Sequence, residues 1–276
     1  MYRLKCSIVL IAITLLPGCN EDTAKGWKEV LANCSDTDLH SSKDVLYFGI
    51  SNNLGPGTVW KIDDAGNYDL RANYEDYPKL GEFTNRGNSH NCDGSYKTSF
   101  SGGAALGLST KVVPISGEVK ADLENVSNMT VSADNVAWDE VRGIPYEKYI
   151  NSLESDDPLK IDLKDRADRH VMKKALRVQG YKVILEFEKS VGGEVQAKYT
   201  GPIGNLGQGE FNPKLNGKWT SDRKLEVTAE EEFYIAGRFA PYEADGFSSA
   251  GVAIGEDTVE ITNQSNISYA PIKEPR

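Results

Sequence analysis

Gly117-Glu118-Val119-Lys120-Ala121-Asp122-Leu123-Glu124 sets the apolar side chains of Val119, Ala121 and Leu123 against the charged side chains between them. After Asn125 to Asn128 the same alternation resumes in Met129-Thr130-Val131-Ser132-Ala133. Successive side chains of a strand point to opposite faces, so this period of two predicts strands with one packed and one wet face. Val119, Ala121, Leu123, Met129 and Val131 are the candidates for the packed face. Beyond Gly180, Tyr181, Val183, Leu185 and Phe187 repeat the pattern. A composition of 26 Gly, with 13 Tyr against 8 Phe, also favours strands and tight turns over a helical bundle. The fold class predicted is α+β, mostly antiparallel β-sheet with a few short helices.

Residues 44–50 read as a strand. Gly57-Thr58-Val59-Trp60-Lys61-Ile62, the acidic turn Asp63-Asp64-Ala65-Gly66-Asn67 and Leu70 read as a β-hairpin. Residues 79–101 are polar and predict a long loop or short edge strands held by Cys92. Pro145 followed by Tyr146, Tyr149, Ile150 and Leu153 predicts a helix of two to three turns. Between Leu163 and Val178 the spacing of Leu163, Ala167, Val171, Ala175 and Val178 predicts a helix. Strands are expected at 194–199, 224–228 and 232–239, and a last hairpin around Val252, Ile254, Val259 and Ile261.

The first residues, Met1-Tyr2-Arg3-Leu4-Lys5, precede an apolar run over 7–16 of about 10 residues, half the ~20 needed to span a bilayer, and then Pro17-Gly18-Cys19. Basic flank, short apolar stretch and small residue together read as a signal peptide over 1–18. Leu16-Pro17-Gly18-Cys19 resembles the bacterial lipobox, which implies that Cys19 receives diacylglycerol and a palmitate-type amide chain. At ~0.8 kcal/mol per buried methylene, several chains anchor a protein durably. Asn20 after the cysteine favours the outer membrane, with the domain in the periplasm or at the cell surface. The expected layout is 1–18 signal peptide, 19–43 lipidated anchor, tether and short helix, 44–243 β-rich domain, and 244–276 C-terminal hairpin and tail.

Removal of Cys6 with the leader and lipidation of Cys19 leave Cys34 and Cys92, and two thiols in an oxidising compartment predict one disulfide. Loss of Arg3 and Lys5 takes the formal charge from −10 to −12, which opposes binding of nucleic acid.

Motifs for catalysis are missing from the pattern of residues. His40, His90 and His170 are isolated from one another, without the spacing of a zinc or haem site. Ser51 and Ser109 each lack the second glycine of a nucleophile elbow. The run from Gly201 to Gly209 contains Pro202 and is not followed by a basic helix, so it reads as a loop and not a phosphate cradle. Asp63, Asp64 and Asp69 lack the alternation of a calcium loop. Asp156-Asp157 and Glu230-Glu231-Glu232 read as solvated charge that discourages edge-to-edge aggregation. No cofactor is expected, and the chain is read as a non-enzyme.

Across residues 116–242 the chain resembles the N-terminal pore-forming domain of gasdermins. The similarity runs through Gly117 to Leu123, Val131-Ser132-Ala133-Asp134-Asn135-Val136-Ala137-Trp138, His170-Val171-Met172-Lys173-Lys174-Ala175-Leu176, Lys182 to Phe187, Arg223 to Val227, and Glu232-Phe233-Tyr234-Ile235-Ala236-Gly237-Arg238-Phe239. Pro56-Gly57-Thr58-Val59-Trp60 is also similar to a segment of a group of bacterial β-rich proteins with the same order of elements. The resemblance implies a strand over 169–177, and it is followed there over the helical spacing. It also implies a membrane-inserting role for the face bearing Val119, Ala121 and Leu123, with an oligomer if a pore forms. Gasdermins meet acidic lipid through basic residues, whereas Glu118, Asp122 and Glu124 outnumber Lys111 and Lys120 here. The first reading is therefore a lipid-anchored envelope protein that binds a protein or glycan. A membrane-perforating effector or immunity protein, with 102–130 inserting, is the alternative, and a hydrolase of envelope polymer ranks below both.

Overall fold

The computed structural model describes residues 31, 34, 45–63, 67–92, 95–99, 125–164, 168–203, 214–243, 246–247 and 267–269. Strands β1 (Leu46–Ser51), β2 (Val59–Ile62) and β3 (Tyr68–Ala72) lead to a one-turn helix α1 (Lys79–Glu82) and the short strands β4 (Thr84–Asn85), β5 (His90–Asn91) and β6 (Ser95–Ser99). Next come β7 (Val126–Ser132), β8 (Asn135–Val141), α2 (Gly143–Ser152), α3 (Pro158–Lys164), β9 (Arg169–Gln179), β10 (Lys182–Phe187) and α4 (Gly193–Lys198). The chain continues with β11 (Gly201–Ile203), β12 (Leu215–Ser221), β13 (Lys224–Ala229), β14 (Phe233–Glu243), β15 (Gly246–Phe247) and β16 (Ile267–Tyr269). The fold is α+β and mostly antiparallel: of the strand pairings, β16 with β3 is parallel.

Three long strands bend together. β7, β10 and β13 lie side by side in a six-stranded sheet ordered β11-β12-β13-β10-β7-β6, and their continuations β8, β9 and β14 lie side by side in a second sheet. The chain turns the corner at Ala133-Asp134, at Gly180-Tyr181 and between Ala229 and Phe233. Backbone bonds from Asp134 N to Gln179 O (3.0 Å) and from Ala229 N to Tyr181 O (3.2 Å) keep the three bends in step. Gly180 holds φ +65°, and a side chain there would run into the Asp134 carboxylate, so glycine is required on both counts.

The inner face of the bend is the largest core. Met129, Val131, Val183, Leu185, Leu225 and Val227 from one sheet meet Val136, Leu176, Val178 and Ile235 from the other, and Tyr181 packs edge-on against Phe233 at 5.2 Å. The opposite side of the six-stranded sheet stays wet, as in the register Lys97, Thr130, Ile184, Glu226 and Lys218 across five strands. A second cluster buries Tyr146 and Ile150 of α2 and Leu159 and Leu163 of α3 against Val59, Val171 and Tyr242.

Local rules explain several element ends. Asp157 accepts from Leu159 N at 2.9 Å ahead of Pro158, which starts α3 where no amide hydrogen is needed. Pro145 sits in the first turn of α2, another place without an intrahelical donor to lose. The hairpin read at 57–70 is present as β2 and β3, and Asp63 closes its turn by accepting from Asn67 N at 2.9 Å. Gly57, at φ +95°, lets that segment reach β9, where Gly57 N donates to Met172 O at 2.8 Å.

One expectation is borne out against the periodicity, and one is corrected. The helical spacing over 163–178 gives way to strand β9, as the resemblance implied. Most of β9 is buried, Arg169 and Arg177 included, so its burial does not follow a simple apolar–polar alternation and the strand period is masked. The strand expected at 194–199 is helix α4: Glu194, Gln196, Ala197 and Lys198 are good helix formers, and Val195 and Tyr199, four apart, both turn to the core. Outside 44–243, Leu31 and Cys34 join the core and β16 pairs with β3. The last hairpin, expected around 252–261, lies outside the described residues.

Candidate functional site

Asp139 on β8 is fully buried, and a buried carboxylate must be compensated by donors. Arg177 on the neighbouring β9 supplies Nε at 2.8 Å and Nη2 at 3.3 Å, Tyr234 on β14 donates its phenol at 2.9 Å, and Gly87 N donates at 2.9 Å. Leu176 and Val178 face the inter-sheet core, so Arg177 between them faces the other side of the sheet. Residue 87 is glycine because any side chain would overlap the Trp138 carbonyl.

Outward from this hub, Arg177 Nη1 lies 3.4 Å from Glu232, which also accepts from Arg86 and from Gln179 Nε2. Above it opens a cavity of about 320 Å³. Its charged end is Arg86, Arg177 and Glu232, and its wall is Asn52, Tyr74 and Tyr234. Burial pushes both phenols above their ordinary 10.0, with the neighbouring phenol and the Asp139 charge adding to the effect at Tyr234. Both remain neutral hydroxyls at physiological pH, and Tyr74 donates to Pro56 O at 2.8 Å. Two guanidinium groups, one carboxylate, an amide and two phenols at an open cleft are equipped to recognise a polar ligand.

A separate network ties α3 to the sheet. Asp162 accepts from Arg169 Nε at 2.7 Å and Nη2 at 3.0 Å, and from Arg71 Nη2 at 3.4 Å. Burial works to raise the Asp162 carboxyl, but the Arg169 bonds and charge, helped by Arg71, outweigh it and hold the group below 3.8. Burial lowers His170 beneath 6.5. Arg169 is 1% exposed, so this network belongs to packing.

Of the residues singled out in the sequence, Cys34 and Cys92 are joined by a disulfide across a separation of 58 residues, beside the corner where Cys92 N donates to Asp134 O at 2.9 Å. Met129 and Val131 are each 0% exposed and belong to the inter-sheet core. Cys19 and the trio Val119, Ala121 and Leu123 lie outside the described residues. The four described positions, Cys34, Cys92, Met129 and Val131, share the inter-sheet core.

Asp139, Arg177, Arg86 and Tyr234 were missed as a group, and Glu232 was read as solvated edge charge. Glu230 and Glu231 are exposed as that reading requires, but Glu232 turns inward to the guanidinium groups. The available signal was Asp139 and Arg177, two charges at positions of otherwise packed strands. Their pairing depends on register, which one sequence does not display. Among the described residues no three His, Cys, Asp or Glu side chains are placed to hold a metal ion, and no helix is long and apolar enough to cross a membrane.

No family model matches the chain, and no curated protein matches it either. Among solved structures it is similar to a bacterial gasdermin from Bradyrhizobium tropiciagri, with a TM-score of 0.46 and 14% identity over 83% of this chain and 92% of that one. The fold class rests on the strands described above.

Proposed function

We propose that the chain is a non-enzymatic binding protein of a bacterial envelope, held at the outer membrane by lipid on Cys19, with the Arg86–Arg177–Glu232 cleft as its ligand site. The observation that carries the binding role is the rigid hub beneath the cleft. Asp139 and Arg177 are buried and mutually bonded, so the Arg177 guanidinium and the Tyr234 phenol are positioned before any ligand arrives. The anchor is supported by the lipobox-like Leu16-Pro17-Gly18-Cys19.

The cleft is tested on the full chain in detergent with a panel of soluble envelope glycan and peptide fragments. A fragment that binds the native state raises Tm in proportion to its occupancy. Asn52→Trp, at the exposed rim, should abolish that rise while leaving the ligand-free Tm in place. Equal rises in both proteins would defeat the cleft as the site. For the anchor, Cys19→Ser should leave the membrane fraction and lose acyl mass; a variant that still sediments with membranes, beside a wild type without acyl mass, would defeat it.

A second reading, membrane perforation, draws on the antiparallel pairing of β6 with β7, joined by the chain that carries Val119, Ala121 and Leu123. Leakage from vesicles at micromolar protein would place it first, and intact vesicles would remove it.

A further inference from the structure

We propose that the cleft is a carboxylate site whose resting occupant is the chain's own Glu232, and that a single uronic-acid sugar replaces it in the bound state. The inference deepens the binding reading by naming the ligand class.

The two guanidinium groups are held very differently. Arg177 has a side chain 6% exposed and gives Nε and Nη2 to Asp139, which leaves Nη1 pointing outward. Arg86 and Glu232 are 59% and 36% exposed, so their ion pair is screened by solvent and weak. Glu232 lies between the end of β13 at Ala229 and the start of β14 at Phe233, so it precedes the ladder that fixes β14. Its carboxylate can leave without unpacking the core. Asp139 then still neutralises one guanidinium, and the cleft carries one net positive charge from the other.

A ligand carboxylate restores what Glu232 gave up: charge, planar geometry and acceptors for Arg86, Arg177 and Gln179. Guanidinium groups match a carboxylate through paired donors, which a point cation would not do. A volume of about 320 Å³ is at the small end of ligand cavities, sized for a sugar unit more than for a folded loop. Asn52 offers an amide along its wall, and Tyr74 and Tyr234, whose hydroxyl hydrogens go to Pro56 and Asp139, offer acceptor oxygens and ring surface. The chain's net charge of −10 opposes a polyanion laid over its surface, so recognition is confined to one acidic unit in a local positive site.

The test is calorimetric titration of the full chain in detergent with glucuronate, glucose and inorganic phosphate. Glu232→Gln removes the internal competitor while keeping its shape, and should tighten glucuronate binding about tenfold, the worth of one charged hydrogen bond. Arg86→Met, at the open rim where folding is not at stake, should weaken it by about the same factor. Glucose should bind neither protein. Unchanged glucuronate affinity in Glu232→Gln overturns the inference, as does phosphate binding tighter than glucuronate. Glucose bound as well as glucuronate also overturns it, while leaving the binding reading intact. That reading fails separately, if Asn52→Trp leaves every fragment-induced rise in Tm unchanged.

Discussion

Asp139 shows what one buried charge demands of its neighbours. Its carboxylate is satisfied by Arg177, Tyr234 and Gly87, so removing Arg177 strands an ion in a place water does not reach. Arg177→Met should destabilise the protein by about 3–5 kcal/mol, read from the urea midpoint at constant m. Asp139→Leu combined with Arg177→Met should be less damaging than Arg177→Met alone, because the pair leaves together. A double variant as unstable as the sum of the singles would show that the two side chains act independently. The glycine at 180 is constrained by backbone and space at once. Gly180→Val must accept φ +65° and displace Asp134, and should cost about 1–3 kcal/mol in the same assay.

At the scale of elements, the corner is where the strands depend on one another. β9 is central to one sheet and runs through Gly180 into β10, central to the other. The disulfide joins Cys34 to Cys92 at this corner, and Leu31 beside it is fully buried, so the bond fastens the preceding chain to the core. Closing a separation of 58 residues should contribute about 2–4 kcal/mol, lost in Cys34→Ala with Cys92→Ala. Peptide mapping without reductant should find the two cysteines in one linked fragment, and two free thiols in periplasmic material would refute the bond. Helix α4 and strand β9 illustrate how apolar spacing alone misleads. The same apolar spacing serves a helix against a core and a strand buried on both faces, and the packing partner decides between them.

For the whole molecule, acid should act through Asp162, in the network that docks α3, and through the half-buried His170 on β9. Asp162 and His170 both have lowered proton affinity in the folded state, so the unfolded chain takes up more protons and stability rises with pH. The His170 contribution is complete above 6.5 and falls away below it, and that of Asp162 is complete above 3.8 and is lost as pH drops further. Urea midpoints should therefore decline between pH 7.5 and 5, and His170→Gln should flatten that limb. An equal decline in the variant would place the titrating group elsewhere. The sequence by itself determined the mostly antiparallel class, the hairpin at 57–70, the start of α2 and the strands around Val131, Val183 and Val227, because alternation and turn chemistry are local and survive without a partner. The packed molecule was needed to show that α4 is a helix, and that Glu232 turns from the solvent toward Arg86 and Arg177. The physical reason is that these depend on burial on a second face and on register between strands distant in sequence, and a register shift of one residue sends every side chain to the opposite face.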